Sequence, residues 1–283
     1  MDIHDDINLF FDNLIKDYFS NENFTYNSTA TFTNICIYLI FKRNDVQNVF
    51  HSNVSDTQMK LFNHIIITNG EFEQLNSFLD HIINTDFIDY FSSISYSYKD
   101  IDHQFLIRYN KENNLLEFLE PNYNSKIFKG HNPYIKIFEF MSQRLLNLRY
   151  TTTEEIFGSN LTEQERIKLC FNSLSFHISR GIGFCSSWTL LFIDLITYYE
   201  NLSSEDIFKI LYERNKNKTL EETSLDLSKI IVSYILYMHQ EIGNEYTKHN
   251  LNFDLESFGN YQENYVYSDM KMYQIISSYF ENL

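Results

Sequence analysis

Cys185 follows the run Gly181-Ile182-Gly183-Phe184 and opens a long apolar segment, Cys185 to Tyr199. That segment is apolar on nearly every face, so it reads as a helix in the middle of a domain, with the thiol in its first turn. A cysteine there feels the positive end of the helix dipole and the first backbone N–H groups, and both favour thiolate over thiol. The same N–H groups, around Gly183, Phe184 and Cys185, can receive a developing oxyanion, as acyl transfer requires. Two of only seven glycines lie just before this cysteine, where they would let a substrate backbone come close. The same residues also fit a small core thiol behind a tight strand-to-helix turn.

A thiolate nucleophile needs a histidine to take its proton and a polar group to orient that histidine. Of nine histidines, His103 stands at the start of a β-prone stretch, residues 104 to 109, with Asp102 before it. A second β-prone stretch, residues 115 to 119, ends at Glu120-Pro121. Between them lies Asn110-Lys111-Glu112-Asn113-Asn114, a turn suited to asparagine, which tolerates positive φ. If the two stretches pair as a hairpin, the start of one faces the end of the other, and His103 and Glu120 come side by side. Taken alone, a strand-end histidine also fits simple exposure.

Other elements must position these residues. Apolar positions Ile7, Phe10, Phe11, Leu14, Ile15 and Phe19 predict an amphipathic helix over 5 to 19. Residues 56 to 66 and 71 to 83 read as helical, and 32 to 41 and 93 to 98 as β-prone. A helix is expected over 133 to 148 and a buried strand over Ser173 to Ile178. Ser203 and Ser204, ahead of Glu205 and Asp206, cap a helix running to about 214, and helices over 220 to 240 and 268 to 281 complete the C-terminal part. The order predicts an α+β fold, a mixed sheet packed on a central helix, rather than a doubly wound sheet. Residues 1 to 99 read as a mostly helical, unassigned N-terminal segment and 100 to 283 as the core.

Composition narrows the classes. The chain has 283 residues and a formal charge of -16, a balance that repels phosphate backbones and argues against sequence-independent nucleic-acid binding. Three cysteines fit no paired zinc or redox spacing, and Cys36 and Cys170 lie in apolar surroundings that suit inert thiols. Metal binding through His103, His131 or His177 lacks the short paired spacings of such sites, so no metal and no cofactor is expected. The acidic amino terminus does not resemble a secretory signal, and no apolar run approaches the roughly 20 residues that span a bilayer. A reducing, cytosolic setting is expected, with no membrane partner. A papain-type reading with Ser187 as nucleophile fails on spacing and on the position of the remaining histidines.

The runs His103-Gln104-Phe105-Leu106-Ile107-Arg108-Tyr109, Leu116-Glu117-Phe118-Leu119-Glu120-Pro121 and Gly183-Phe184-Cys185-Ser186-Ser187-Trp188 resemble cysteine peptidase-like proteins of large DNA viruses. These are similar to the SUMO-specific (ubiquitin-like-protein) proteases and the adenovirus protease. The resemblance covers about residues 100 to 240 and implies that fold, with His103 as general base, Glu120 as its orienting acid and Cys185 as nucleophile. It places Trp188 as the aromatic after the cysteine and Gln104 where the cellular enzymes commonly carry Trp. It implies hydrolysis of a peptide or isopeptide bond in a viral precursor or ubiquitin-like conjugate, in the host cytoplasm or the virion. Gly183, Phe184, Gln104 and Trp188 would flank substrate or oxyanion. The family's Gln before the cysteine has no counterpart in 171 to 184, so Asn172, Ser179 or backbone N–H groups would replace it. A His-acid-Cys acyltransferase and a catalytically silent binding module are the rival readings.

Overall fold

Helix α1, Ile3–Tyr18, begins at Asp2, whose carboxylate accepts from the N–H of His4, and buries Ile7, Phe11 and Leu14 along one stripe. It is the amphipathic helix expected over 5 to 19. The structure, a computed structural model, describes residues 2–19, 30–45, 51–52, 61–62, 64–68, 71–98, 101–121, 132–157, 161–175, 184–199, 202–253, 271–272, 274–276 and 278–279.

Helix α2, Ala30–Arg43, replaces the β-prone stretch expected over 32 to 41. Every side chain from Ile35 to Phe41 is buried, so the segment is covered on all sides and shows no period by which helix and strand could be told apart. Strands β1, His51–Ser52, and β2, Leu61–Phe62, form a small antiparallel pair. Strand β3, His64–Thr68, follows, where a helix was expected over 56 to 66; Ile65 and Ile67 both reach the core at a spacing of two. Helix α3, Glu73–Asn84, lies where expected.

Strands β4 (Asp89–Tyr98), β5 (Ile101–Asn110), β6 (Leu115–Leu119) and β7 (Arg149–Thr152) join β3 in a five-stranded sheet of order β3-β4-β5-β6-β7. The β3–β4 and β6–β7 pairs are parallel and the inner pairs antiparallel, giving the mixed sheet of an α+β protein. β4 pairs with β5 from Asp89↔Asn110 to Tyr98↔Ile101, so the sheet spans the boundary drawn between 99 and 100. The β5–β6 hairpin turns through Asn114, at φ 50°, and the N–H of Asn113 donates to Asn110 Oδ1 at 2.9 Å.

Helix α4, Pro133–Ser142, is capped by Asn132, which accepts from the N–H groups of Tyr134 and Ile135. It ends before the expected 148 because the chain turns through Asn147, at φ 58°, into β7. Short helices α5 (Thr153–Phe157), α6 (Glu163–Lys168) and α7 (Phe171–Ser175) lead to the core; α7 stands where the strand 173 to 178 was expected, and residues 176 to 183 lie outside the described set. Helix α8 is Cys185–Tyr198, α9 is Ser204–Asn215 and α10 is Leu220–Lys248, the last longer than the expected 220 to 240. Ser203 with Asp206 and Thr219 with Glu222 form capping boxes that start α9 and α10. The described residues between 271 and 279 are helical. Among the described residues no helix is long and apolar enough to cross a membrane.

Side-chain alternation gives the sheet two covered faces. Tyr90, Ile94, Phe105, Ile107, Leu116 and Phe118 join one core with α3 and α4. Phe91, Leu106 and Leu119 join the other, built on α8 with α1, α2, α9 and α10. The central helix is therefore buried against the sheet, with its first turn near one end of β5.

Candidate active site

Cys185 is the first residue of α8 and is half-buried. The helix begins there because Phe184 leaves helical geometry, while its carbonyl already accepts from the N–H of Trp188 at 2.9 Å. Phe184, at the N-cap, makes no side-chain cap hydrogen bond, and the first N–H groups of α8 bring partial positive charge to the thiol.

His103 and Glu120 meet on the sheet. The β5–β6 ladder stops at Leu106↔Leu119, and continuing its register sets Glu120 level with Phe105, so His103 is its diagonal neighbour on the same face. His103 Nε2 lies 2.7 and 2.8 Å from the two carboxylate oxygens of Glu120. Both residues are buried, at 7% and 3% exposure, so solvent does little to weaken the pair. Tyr134, on α4, donates its O–H to Glu120 Oε2. Its ring is wedged edge-on against Phe105, with centroids 5.1 Å apart.

The third member arrives from the other side of the sheet. Cys185 is near enough to His103 to help raise its pKa, although α8 packs on the face opposite to that of Phe105 and Tyr134. The early end of β6 explains how. Residues 101 to 105 of β5 pair only with β4 among the described strands, which leaves their other flank open to the helix terminus. Burial disfavours the imidazolium, but the charge of Glu120 and hydrogen bonds with Cys185 and Glu120 outweigh it and raise His103 from 6.5 to about 10. Burial, and then the charge of Glu120, push Tyr134 well above the usual phenol range, so its O–H stays a donor.

The flanking residues divide. Trp188 is fully buried, 5.6 Å from the ring of Phe171, and its Nε1 donates to Ser175 Oγ at 3.3 Å. It anchors α8 on α7 rather than lining a substrate surface, because none of its side chain is exposed. The Phe184 side chain is likewise fully buried, which leaves only its backbone to face a substrate. Gln104 sits on the α8 face of β5, with Nε2 donating to Ser93 Oγ at 2.5 Å. Gly183, Ser179, His131 and His177 lie outside the described residues, as does the side chain of Asn172.

Cys36 is fully buried, and burial, then the charge of Asp194, pushes its thiol well up, as an inert thiol requires. Cys170 is half-buried rather than enclosed, and its Sγ donates to the Arg166 carbonyl at 3.6 Å. No cluster of three or more His, Cys, Asp or Glu side chains suited to a metal occurs among the described residues. Tyr134 is the functional residue that sequence reasoning passed over. Its only signal was the Asn132-Pro133 helix start, which aims the first turn of α4 but does not say at what.

Compared with protein families, curated proteins and solved structures, the chain matches none.

Proposed function

We propose that the chain is a thiol-dependent hydrolase of peptide or isopeptide bonds, with a fold of the SUMO-protease and adenovirus-protease type. The observation that carries this reading is His103, paired with the buried carboxylate of Glu120 and raised in pKa in part by Cys185 at a helix N-terminus. Nδ1 takes the thiol proton and Sγ attacks the substrate carbonyl carbon. The oxyanion turns toward the N–H groups at the start of α8. The imidazolium then protonates the leaving amine, and water, deprotonated by the same imidazole, releases the acyl group from sulfur. Glu120 holds the ring and balances its positive charge; Tyr134 holds Glu120. The substrate would be a protein, a viral precursor or ubiquitin-like conjugate, met in the host cytoplasm or the virion.

An activity-based probe that ends in a ubiquitin-like C-terminal glycine electrophile tests this. Labelling of Cys185 that disappears in His103→Ala supports the reading. Labelling that persists in Cys185→Ala overturns the nucleophile, and turnover of acetyl-coenzyme A in place of labelling favours an acyltransferase. A protein that binds the probe's recognition domain but is never labelled is a silent binding module.

A further inference from the structure

A second cleft opens at the other end of α8. It encloses about 490 Å³ between the outer side of α1, the last turns of α2 and α8, and α10. From Cys185 to Asp194 and Tyr198 the helix rises by ~14 to ~20 Å at ~1.5 Å per residue, so this cleft is separate from the thiol and owes nothing to the catalytic reading.

Its floor is an internally balanced ion pair. Arg43 reaches both oxygens of Asp194 at 2.5 Å, lies over the ring of Tyr237 at 5.4 Å and donates to the Tyr237 hydroxyl. Asp194 also accepts from Tyr234 at 3.1 Å and from Asn44 at 3.2 Å. Arg43 and Asp194 thus neutralise each other. Asp6 is the other charged residue among the described lining residues, and it has no ion-pair partner among them.

The walls are aromatic. Tyr198 and Tyr199 meet edge to face, centroids 4.8 Å apart, and Phe10 and Tyr237 complete them. Tyr198 is 65% exposed, so its ring is open to a ligand in the cleft. Two helices, α2 and α8, end here, and their carbonyl ends bring partial negative charge. Burial, then the charges of Asp6, Tyr198 and Asp194, raise the Tyr199 hydroxyl above the usual phenol range.

A cleft of ring faces, the Asp6 carboxylate and two helix C-termini suits a cation with a flat apolar surface. The guanidinium already stacked on Tyr237 shows that these walls accept that group. We propose that the cleft binds an arginine side chain presented by a protein partner, whose basic surface the charge of -16 on this chain would attract. An anionic ligand is disfavoured, since Asp194 already neutralises Arg43 and Asp6 repels it.

The test follows tyrosine ring signals of the full chain, labelled with ¹³C-tyrosine, by NMR during titration with Nα-acetylarginine amide. The neutral isostere Nα-acetylcitrulline amide and the anion Nα-acetylaspartate amide serve as comparisons. Expected are saturable shifts of Tyr198 and Tyr199, binding of citrulline at least about tenfold weaker, and losses of about three- to tenfold in Tyr198→Ala and Asp6→Asn. Both positions are solvent-accessible, and unchanged melting temperatures would show that the variants fold. No saturable shift up to about 20 mM ligand, a range that covers Kd values weaker than ~1 mM, overturns the proposal. So does equal binding of citrulline, binding of the aspartate derivative at the same signals, or wild-type affinity in both variants.

Discussion

Tyr134→Phe removes one oxygen from the centre of the site and little else. The ring contacts with Phe105 and Phe118, both at 5.1 Å between centroids, survive the change, so the packing of α4 on the sheet is kept. What is lost is a donor to a carboxylate that is almost fully buried and that also holds His103. A hydrogen bond to a charged group is worth ~1.5–3 kcal/mol, so its loss weakens the hold on the carboxylate that orients His103. An imidazole that is held less well takes the thiol proton less readily. Alkylation of Cys185 should therefore slow by about tenfold, the lower end of that range because both carboxylate oxygens still face Nε2. The assay is the rate of iodoacetamide alkylation against pH, read peptide by peptide by mass spectrometry, with half-buried Cys170 as the internal reference thiol. Tyr212→Phe, which breaks a tyrosine–carboxylate bond to Glu165 at 2.8 Å on other elements, controls for a general effect. A Cys185 rate that is unchanged in Tyr134→Phe, or falls equally in Tyr212→Phe, refutes the role given to Tyr134. If Cys185 in the wild type reacts no faster than Cys170, the nucleophile itself is wrong.

His239 is buried, and burial lowers it from 6.5 to about 4. It is protonated in the unfolded chain at a pH where it stays neutral in the fold, so its contribution to stability is full above pH 6.5 and is lost as pH falls toward 4. His239→Leu should flatten the loss of melting temperature across that window, by up to about 3 kcal/mol at ~1.36 kcal/mol per unit; an unchanged slope would show that the ring does not control it. Lys168 donates to the carbonyls of Asn215, Lys216 and Lys218 at 3.2, 2.8 and 2.7 Å, closing the end of α9. Lys168→Met leaves those acceptors without the ammonium and should cost about 1–3 kcal/mol in urea unfolding, whereas a change within error would mean that water replaces it fully.

The elements that carry an explicit local signal were legible. The hairpin around Asn110 to Asn114, the serine-capped start of α9 and the apolar helix from Cys185 follow from turn chemistry, capping and apolar content. Segments without a period misled. Residues 32 to 41 are β-branched and aromatic, yet form a helix because they are enclosed on every side, and the neighbours that enclose them are far away in sequence. Strand β3 and helix α7 are too short to settle the matter: Ile65-Ile66-Ile67 is an apolar run that fits either state, and Ser173-Leu174-Ser175-Phe176 alternates as a strand would.

For the site, the sequence alone determined which groups were available: a thiol at the start of a buried helix, a histidine at a strand start, and an acid at the end of the returning strand. Their types and the hairpin register follow from local rules that act over a few residues. Only the tertiary structure decided that β6 stops short of His103, which lets α8 bring Cys185 to the imidazole from the opposite face of the sheet. It alone also decided that Tyr134 holds the acid, that Trp188 is an anchor rather than a substrate wall, and that Asp194 in an apolar helix is matched by Arg43 from α2. These are contacts between elements up to 151 residues apart, and their energies depend on burial and on relative orientation, which no local pattern encodes.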